Sequence, residues 1–317
     1  MVNRLFLFLQ VMLKKISKPN LIILALIIAL NLFWPPTSSA WSYYRQHRLP
    51  SSTAQDLIDF QSPRIPVAKK PFDQNLTTQT YILIDPVSNS IIISKNPHQK
   101  IYPASITKLA TAITALNIYP LDELITISEE YTEGKVMELE LNEKITVKSL
   151  VSSIIVYSAN DAAFTLANHH PQGIPGFLNQ MNLLAQKYKL TNTHFSNYDG
   201  IHGDNHHSTV YDLAQLGRLA IKNPVILENA KLEKLTVSDQ DQKIFHDLVT
   251  TNELLGKTPQ VIGLKTGWTP EAGGCFIALF EIDGRQLISV VAQSTDRFGD
   301  TQKIITWSEN NLVWQAN

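Results

Sequence analysis

Apolar residues alternate with the period of β-strands at both ends of the part of the chain that is expected to fold. Residues 81–85 and 90–94 are rich in isoleucine and are separated by a short polar segment, which predicts a hairpin. Alternation returns after Val261. There the pattern predicts strands at 261–268, 274–280 and 287–292, with a turn at Asp283-Gly284 between the last two.

Helical spacing of apolar residues dominates the middle of the chain. It predicts helices at 105–116, from Thr146 or Ser149 to about Tyr157, at 161–169, at 176–188, at 209–222 with Ser208 as N-cap, and at 300–314. Strands at both ends of a helical middle predict an α/β (α+β) fold. We expect an antiparallel β-sheet flanked by helices, with a mainly helical insertion near residues 121–207.

The first 78 residues differ from the rest. Basic residues precede an apolar run at 21–34, no acidic residue occurs before Asp56, and Ser38-Ser39-Ala40 supplies small residues for cleavage. The run is shorter than the about 20 residues of a transmembrane helix, although the apolar stretch 5–13 could extend it. We therefore expect residues 1–40 to be a signal peptide or an N-terminal anchor and the protein to be extracytoplasmic. A proline-containing linker at 41–78 would lead to one domain at 79–317.

Composition excludes some classes of protein. The 317 residues carry a formal net charge of −1, and basic residues do not cluster outside the N-terminal segment, so nucleic acid is not an expected partner. Cys275 is the single cysteine, which rules out an intrachain disulfide. We expect it to be a small buried residue of a strand.

Ser105 and Lys108 lie one helical turn apart at the start of a predicted helix, so their side chains share one face. A serine hydroxyl becomes a nucleophile when a neighbouring base takes its proton, and a desolvated lysine can be that base. The pair alone is also compatible with an N-cap serine followed by a solvated lysine.

Two other short motifs carry candidate chemistry. Ser158-x-Asn160 interrupts two helical patterns, so a hydroxyl and an amide could project from the loop between them. Lys265-Thr266-Gly267 lies in a predicted strand, where glycine often marks the close approach of another backbone or a ligand. Taken alone, the first of these motifs is equally compatible with an ordinary turn and N-cap. The second is equally compatible with a solvent-facing strand.

The order and spacing of the three motifs are more specific than any one of them. The second follows Ser105 by about fifty residues and the third follows by about a hundred more, as in the active-site serine enzymes that recognise penicillin. From about residue 79 to 308 the chain resembles the serine D-alanyl-D-alanine carboxypeptidases, the low-molecular-mass penicillin-binding proteins. The segments 103–109, 158–163, 193–200, 208–214 and 261–273 are all similar to segments of that family.

The resemblance implies a β-lactamase/transpeptidase-like fold and a role for each matching residue. Ser105 would attack the penultimate D-alanine carbonyl, Lys108 would take the serine proton, and Ser158 would pass a proton to the leaving amine. Asn160 would hold the substrate amide, while Lys265 and Thr266 would bind its terminal carboxylate. The backbone N–H groups of Ser105 and Trp268, beside Gly267, would form the oxyanion hole. No cofactor or metal is implied.

The implied substrate is the stem peptide of peptidoglycan, and β-lactams would acylate Ser105. Ala159 stands where the family often has glycine, a change of one methyl group that we expect to preserve activity. About fifty residues follow Lys265, too few for the C-terminal β-rich domain and anchor of several members, so attachment to a membrane would be N-terminal. Carboxypeptidase activity is the first expectation. Endopeptidase action on crosslinks is the alternative, ahead of a β-lactamase or an inactive wall-binding protein.

Two further patterns suggest other chemistry. The segment 138–142 fits the Glu-x-x-Leu-Asn pattern of class A β-lactamases, but it precedes Ser158, whereas in those enzymes it follows the equivalent motif. We expect a strand or loop with solvated acids. The group His202, Asp204, His206 and His207 could suggest a metal site, but we expect a solvated loop.

The N-terminal segment generates a direct prediction. If residues 1–40 are a cleaved signal peptide, N-terminal sequencing of the exported protein will begin after Ala40, because the small residues end there. An exported protein that still begins at residue 1 would contradict cleavage and support the anchor.

Overall fold

A computed structural model describes residues 64–201 and 203–315 of the chain. The predicted signal peptide or anchor at 1–40 and most of the predicted linker lie outside these residues, as does His202. Within the described ranges, no helix is both long enough and apolar enough to cross a bilayer.

The strands of the described residues, in chain order, are β1 (Ile65–Ala68), β2 (Thr80–Ile84), β3 (Ile91–Lys95), β4 (Leu124–Thr126), β5 (Lys144–Thr146), β6 (Lys234–Ser238), β7 (Phe245–Val249), β8 (Val261–Thr269), β9 (Gly273–Ile282), β10 (Arg285–Ser294) and β11 (Leu312–Gln315). The helices are α1 (Thr107–Ile118), α2 (Val147–Val156), α3 (Asn160–Asn168), α4 (Gly173–Lys187), α5 (Val210–Ala220), α6 (Pro224–Ala230) and α7 (Arg297–Asn311), with a single 3-10 turn at Ala104–Ile106 before α1.

Five strands form the central antiparallel sheet, in the order β3-β2-β10-β9-β8. The predicted hairpin supplies β2 and β3, and the three strands predicted after Val261 supply the rest. The α/β prediction with an antiparallel sheet is therefore confirmed, and β8 lies at one edge of the sheet. Three two-stranded pairs, β1-β11, β4-β5 and β6-β7, lie outside this sheet.

Alternating side chains on the strands bury both faces of the sheet. On β2, Ile82 and Ile84 belong to the core that contains α1 and α5, while Leu83 belongs to a second core with Ile304 and Trp307 of α7. This is the pattern expected when side chains of successive residues point to opposite faces of a strand. The sheet thus lies between helices on both sides, and the N-terminal end of α1 meets its β8 edge.

The described end of the predicted linker is folded onto the domain. The β1 strand pairs antiparallel with β11, and the Phe72 ring packs between Tyr81 and Trp307, with ring centroids 5.6 and 5.3 Å away. The linker prediction is therefore wrong for residues 64–78. The partner of β1 is almost 250 residues away in the chain, so the four-residue strand leaves no local hairpin pattern.

Several helix boundaries differ from the predictions by a few residues, and two of these differences have a clear physical cause. The last helix ends at Asn311 instead of 314, because residues 312–315 extend to pair with β1. The N-cap of α5 is Thr209, whose hydroxyl accepts from the Asp212 amide at 3.1 Å, and not Ser208. Ser208 instead makes a β-bridge with Ile101.

Asp300 holds the N-terminal segment to α7 and generates a stability prediction. Its fully buried carboxylate accepts from the Thr77 amide at 2.8 Å, and from the Thr77 and Ser294 hydroxyls at 2.7 Å each. Asp300→Ala removes the shared acceptor of the buried Ser294 hydroxyl and of the Thr77 amide and hydroxyl, so we expect the free energy of unfolding to fall by about 1–3 kcal/mol in urea denaturation.

The control is Asp241→Ala, which removes an exposed carboxylate 3.0 Å from Lys243 and should leave the free energy of unfolding unchanged within error. Equal stability of the Asp300 variant and the wild type would contradict the anchoring role.

Candidate active site

Ser105 lies in the 3-10 turn that leads into α1, in a segment whose backbone is crowded on one side. Its neighbour Ala104 has a φ of +50°, in the region that favours glycine. Gly200 packs against this turn, and a Cβ atom added to it would lie 1.8 Å from the Ala104 carbonyl oxygen. Glycine is required at position 200, because any side chain would displace the segment that carries Ser105.

Lys108 is fully buried and contacts the serine. Its Nζ lies 3.1 Å from Ser105 Oγ and donates to the Asp199 carbonyl oxygen at 2.6 Å. The two side chains therefore meet across one helical turn, as their spacing predicts. The alternative of a solvated lysine is excluded for Lys108.

The buried position changes the acidity of this lysine. Burial lowers the pKa of Lys108 to about 8, although the charges of Asp199 and Asp161 favour the ammonium form. A lysine with a pKa near 8 is partly neutral close to physiological pH, so it can accept a proton from the hydroxyl beside it.

Asp199 links this lysine to a neighbouring loop, a role that the sequence analysis missed. Its carboxylate accepts from the Tyr131 hydroxyl at 2.8 Å and from the Ile201 amide at 3.1 Å, while its carbonyl accepts from Lys108. The Tyr131 ring stacks on Phe164 with centroids 5.0 Å apart. Asp199 lies in the segment 193–200, which resembles a segment of the family. Nothing in that segment of the sequence indicates that Asp199 contacts Lys108 and Tyr131.

The second motif forms the turn between α2 and α3. Ser158 has a φ of +70° and Asn160 is the first residue of α3, and both are at least 94% buried. Asn160 is fixed by the backbone of the 127–143 loop: its Nδ2 donates to the Glu133 carbonyl at 2.8 Å, and its amide donates to the Lys135 carbonyl at 2.7 Å. The charge of Asp161, the next residue, raises the pKa of Lys108, so this turn lies near the lysine.

The third motif lies on β8, beside the serine. A Cβ atom added to Gly267 would lie 2.9 Å from the Ser105 amide nitrogen and 3.1 Å from Ala104 Cβ, so the two backbones approach as closely as the strand glycine predicts. The Thr266 hydroxyl lies 2.7 Å from that of Thr251. The next side chain, Trp268, is 59% exposed.

Lys265 is the second buried lysine of this region. Its Nζ donates to the Thr266 carbonyl at 3.1 Å, and 1% of the residue is exposed. Burial holds the pKa of Lys265 well below its usual value, and the positive charges of Lys108, Lys135 and Arg297 add to this effect. The alternative of a solvent-facing strand lysine is therefore excluded for Lys265.

Arg297 is a cation of this region that the sequence analysis did not select. It is the first residue of α7, packs beside Gly274 of β9, and has a buried Nε without a hydrogen-bond partner among the described residues. Its charge acts on Lys265. No motif marks Arg297, because its proximity to Lys265 arises from the packing of α7 against the sheet.

Residues 67–296 match the family described as D-alanyl-D-alanine carboxypeptidase. The chain belongs to the D-alanyl-D-alanine carboxypeptidase family. This confirms the resemblance drawn from the three motifs.

Individual members of the family differ in the reaction that their names give. The chain is 31% identical over 255 residues to the D-alanyl-D-alanine carboxypeptidase DacA of Haemophilus influenzae, covering 75% of this chain and 63% of that protein. It is 30% identical over 242 residues to the D-alanyl-D-alanine endopeptidase of Escherichia coli, covering 73% of this chain and 77% of that protein. The match thus spans less than two thirds of the DacA length.

A solved structure with a similar fold is that of the Streptomyces K15 DD-transpeptidase. It has a TM-score of 0.70 and 26% sequence identity, covering 74% of this chain and 97% of that one. The expected transpeptidase-like fold is therefore confirmed for this member of the carboxypeptidase family.

The patterns that suggested other chemistry are accounted for by local contacts. His206 is 1% exposed, so the expectation that it is solvated is wrong: its Nδ1 accepts from the Ser196 amide at 3.1 Å, and its Nε2 lies 2.8 Å from the Thr107 hydroxyl. Glu138 and Glu140 are exposed in a loop, as expected. Among residues 64–201 and 203–315, no group of three or more histidine, cysteine or acidic side chains is arranged to hold a metal ion.

Cys275 lies fully buried in β9, as predicted. Burial raises the pKa of its thiol to about 11, so the thiolate form that a nucleophile requires is disfavoured.

The contact between Asp199 and Lys108 generates a prediction that does not depend on activity. Asp199→Asn keeps the side-chain volume but removes a negative charge that favours the ammonium, so we expect the pKa of Lys108 to fall below about 8. Carbon-13 NMR titration of labelled lysine, assigned with Lys108→Arg, measures this pKa.

The matched control is Asp204→Asn, at an exposed position of the same segment, which should leave the Lys108 titration unchanged. An unshifted titration in the Asp199 variant would contradict an electrostatic role for that carboxylate.

Proposed function

We propose that this protein is an exported serine DD-peptidase that removes the terminal D-alanine from peptidoglycan stem pentapeptides. The observation that carries the proposal is the buried Lys108 ammonium 3.1 Å from Ser105 Oγ, with a pKa lowered to about 8. The chain belongs to a family that carries this activity in its description. A hydroxyl and a low-pKa lysine in contact are a nucleophile and its general base.

The reaction uses this pair twice. Neutral Lys108 takes the Ser105 proton while Oγ attacks the carbonyl of the penultimate D-alanine, and the carbonyl oxygen becomes an oxyanion. When this tetrahedral intermediate collapses, the C–N bond breaks and the amine of the terminal D-alanine leaves with a proton relayed through Ser158. Water then attacks the ester on Ser105, with Lys108 again accepting a proton, and the serine hydroxyl is restored.

Positive charge around Lys265 favours a substrate that ends in a carboxylate. Lys265 and Arg297 act on each other electrostatically, and neither forms an ion pair with a carboxylate among the described residues. In the proposed complex Lys265 and the Thr266 hydroxyl bind the terminal carboxylate and Arg297 adds to the attraction. A bound carboxylate would offset the repulsion between the buried Lys265 and the partly buried Arg297.

The remaining groups hold the scissile amide. Asn160 binds the peptide amide from the α3 side, and the backbone N–H groups of Ser105 and Trp268 stabilise the oxyanion. Gly267 supports this arrangement because it permits the close approach of β8 to Ser105. β-Lactams, which carry a strained amide beside a carboxylate, would acylate Ser105 by the same route.

Endopeptidase action on peptidoglycan crosslinks is the second candidate, and it is favoured by the similarity to the Escherichia coli endopeptidase over 77% of that protein. The leaving group would then be the side-chain amine of a neighbouring stem peptide. A β-lactamase and an inactive wall-binding protein are less well supported, because Ser105 and the buried Lys108 and Asn160 are all present and no binding module needs a general base.

The substrate requires a location outside the cytoplasm, either periplasm or cell-wall space. The predicted N-terminal signal supplies the export, and any attachment to the membrane would also be made by residues 1–40.

Product analysis tests the proposed function and separates its alternatives. We expect purified protein to release free D-alanine from uncrosslinked stem pentapeptide, at a rate that rises with pH through about 8 as Lys108 becomes neutral. Release of monomers from crosslinked dimer, without free D-alanine, would support the endopeptidase instead.

Ser105→Ala should abolish both products while leaving the thermal transition unchanged, because the hydroxyl is the nucleophile. Labelled penicillin should attach to Ser105 in the wild type, as found by peptide mapping. Folded protein that releases neither product and takes no label would overturn the assignment.

A further inference from the structure

The loop that holds Asn160 has no regular secondary structure and depends on contacts from outside. This loop, residues 127–143, connects β4 to β5 and is called here the β4–β5 loop. Its Glu133 and Lys135 carbonyls accept from Asn160, and its Met137 and Leu139 amides donate to the Asp161 carboxylate at 3.0–3.2 Å. The position of Asn160 is thus coupled to the position of this loop.

His246, on β7, fixes the other side of the same loop. Its Nδ1 lies 2.8 Å from the Met137 carbonyl oxygen and its Nε2 lies 2.9 Å from Glu143 Oε1. The second Glu143 oxygen accepts from the Glu140 amide at 3.0 Å. The side chains of His246 and Glu143 are 5% and 0% exposed, so water does not compete for these bonds.

The two ring contacts together define the charge of the imidazole. A carbonyl oxygen and an ionised carboxylate can only accept, so both ring nitrogens must donate and His246 is an imidazolium. Burial alone would lower the pKa of His246, but the hydrogen bond and charge of Glu143 outweigh it and the pKa is raised. A neutral ring could keep one of the two bonds, because only one nitrogen would then carry a hydrogen.

We propose that His246 is a positioning residue that, in its protonated form, clamps the β4–β5 loop and thereby holds Asn160 and Asp161 in place beside Lys108. The inference rests on the proposed function, since it assigns a pH-dependent control to that active site. His246 acts only through the loop, because it contacts Met137 and Glu143. Asn160 contacts different residues of the same loop, the carbonyls of Glu133 and Lys135.

Other ionisable groups surround the imidazole and act on its charge. Glu143 comes from the β4–β5 loop, Asp161 from α3, and both favour the imidazolium. The cavity beside the ring is also lined by ionisable side chains from the loop, from the end of α2 and from β7: Glu138, Glu140, Tyr157 and Asp247. The environment is predominantly acidic, which agrees with a protonated ring.

The sign of the pH effect follows from the raised pKa. An unfolded histidine has a pKa of about 6.5, so the clamp contributes fully below that pH and is lost as pH rises through the higher pKa of the folded state. The Lys108 base changes in the opposite sense, because it becomes active as pH rises. The rates of wild type and a His246 variant must therefore be compared at each pH, so that the Lys108 contribution cancels.

The first measurement is the rate of Ser105 acylation by labelled penicillin from pH 5.5 to 9.5 in wild type and His246→Gln. Glutamine keeps one donor and carries no charge. We expect the wild type to react about three- to tenfold faster at the acidic end, less than the about 100-fold that a 1 Å misplacement in an active site can cost. The ratio should fall towards one as His246 loses its proton.

The matched control is His169→Gln. His169 also contacts a carboxylate, Glu123 Oε1 at 2.8 Å, but that pair is about one third exposed and makes no hydrogen bond to the β4–β5 loop among the described residues. Its ratio to wild type should not change with pH.

The second measurement reports on the loop without using activity. The described residues contain two methionines, Met137 in the loop and Met181 in the core of α4, and both methyl groups can be observed by NMR after carbon-13 labelling. The Met137 methyl resonance should titrate with His246, while that of Met181 should not. Glu143→Gln should move the Met137 midpoint to lower pH, because the carboxylate that favours the imidazolium is gone.

The possible results separate the two hypotheses. A wild type that labels on Ser105, with a wild-type-to-His246→Gln ratio that does not vary with pH, would overturn the clamp and leave the proposed function intact. A Met137 methyl that does not titrate, or whose midpoint is unchanged in Glu143→Gln, would overturn it as well. Wild-type protein that is folded but never labels would remove the proposed function and the inference with it.

Discussion

The Lys108 ammonium, buried at the start of α1, is the charge around which the rest of the site is arranged. Removing an ammonium from water is costly unless its hydrogens are bonded and its charge is partly balanced. Ser105 Oγ and the Asp199 carbonyl accept its hydrogens, while the carboxylates of Asp199 and Asp161 balance its charge. These contacts offset the cost of burying the ammonium only in part, so the pKa of Lys108 stays near 8. The same contacts therefore set both the cost of burying this lysine and its acidity.

This arrangement requires segments from distant parts of the chain to meet within a few ångströms. Gly200 and Gly267 have no Cβ and so allow two backbones to reach the segment that carries the serine. Ala104 and Ser158 adopt positive φ values, which cost stability in residues other than glycine. Such strain persists because the surrounding core, built on both faces of the sheet, holds each segment in place.

The His246–Glu143 pair is another buried pair of ionisable groups, in addition to Lys108. The His246–Glu143 pair lies outside the catalytic constellation, yet it meets the loop whose carbonyls hold Asn160. The β4–β5 loop connects the two charges. Its Tyr131 donates to Asp199, which accepts from Lys108, and its Met137 and Glu143 contact His246. The β6-β7 pair therefore supports the site without contributing a residue to it.

The amino-acid sequence by itself determined the features that depend on local patterns. Alternation predicted the five strands of the central sheet, helical spacing predicted most helices, and the three motifs with their spacing predicted the family. The sequence also determined that Lys108 can reach Ser105, because residues three apart share a helix face. These features need no knowledge of what packs against them.

The tertiary structure alone decided the features that depend on residues far apart in the chain. The pairing of β1 with β11 has no local signal, and neither has the approach of Arg297 to Lys265. The burial of His206 and Lys265 likewise could not be predicted from the local sequence, because a side chain is removed from water by its neighbours in space. Acidity follows burial and nearby charge, so only the folded chain lowers the pKa of Lys108 and raises that of His246.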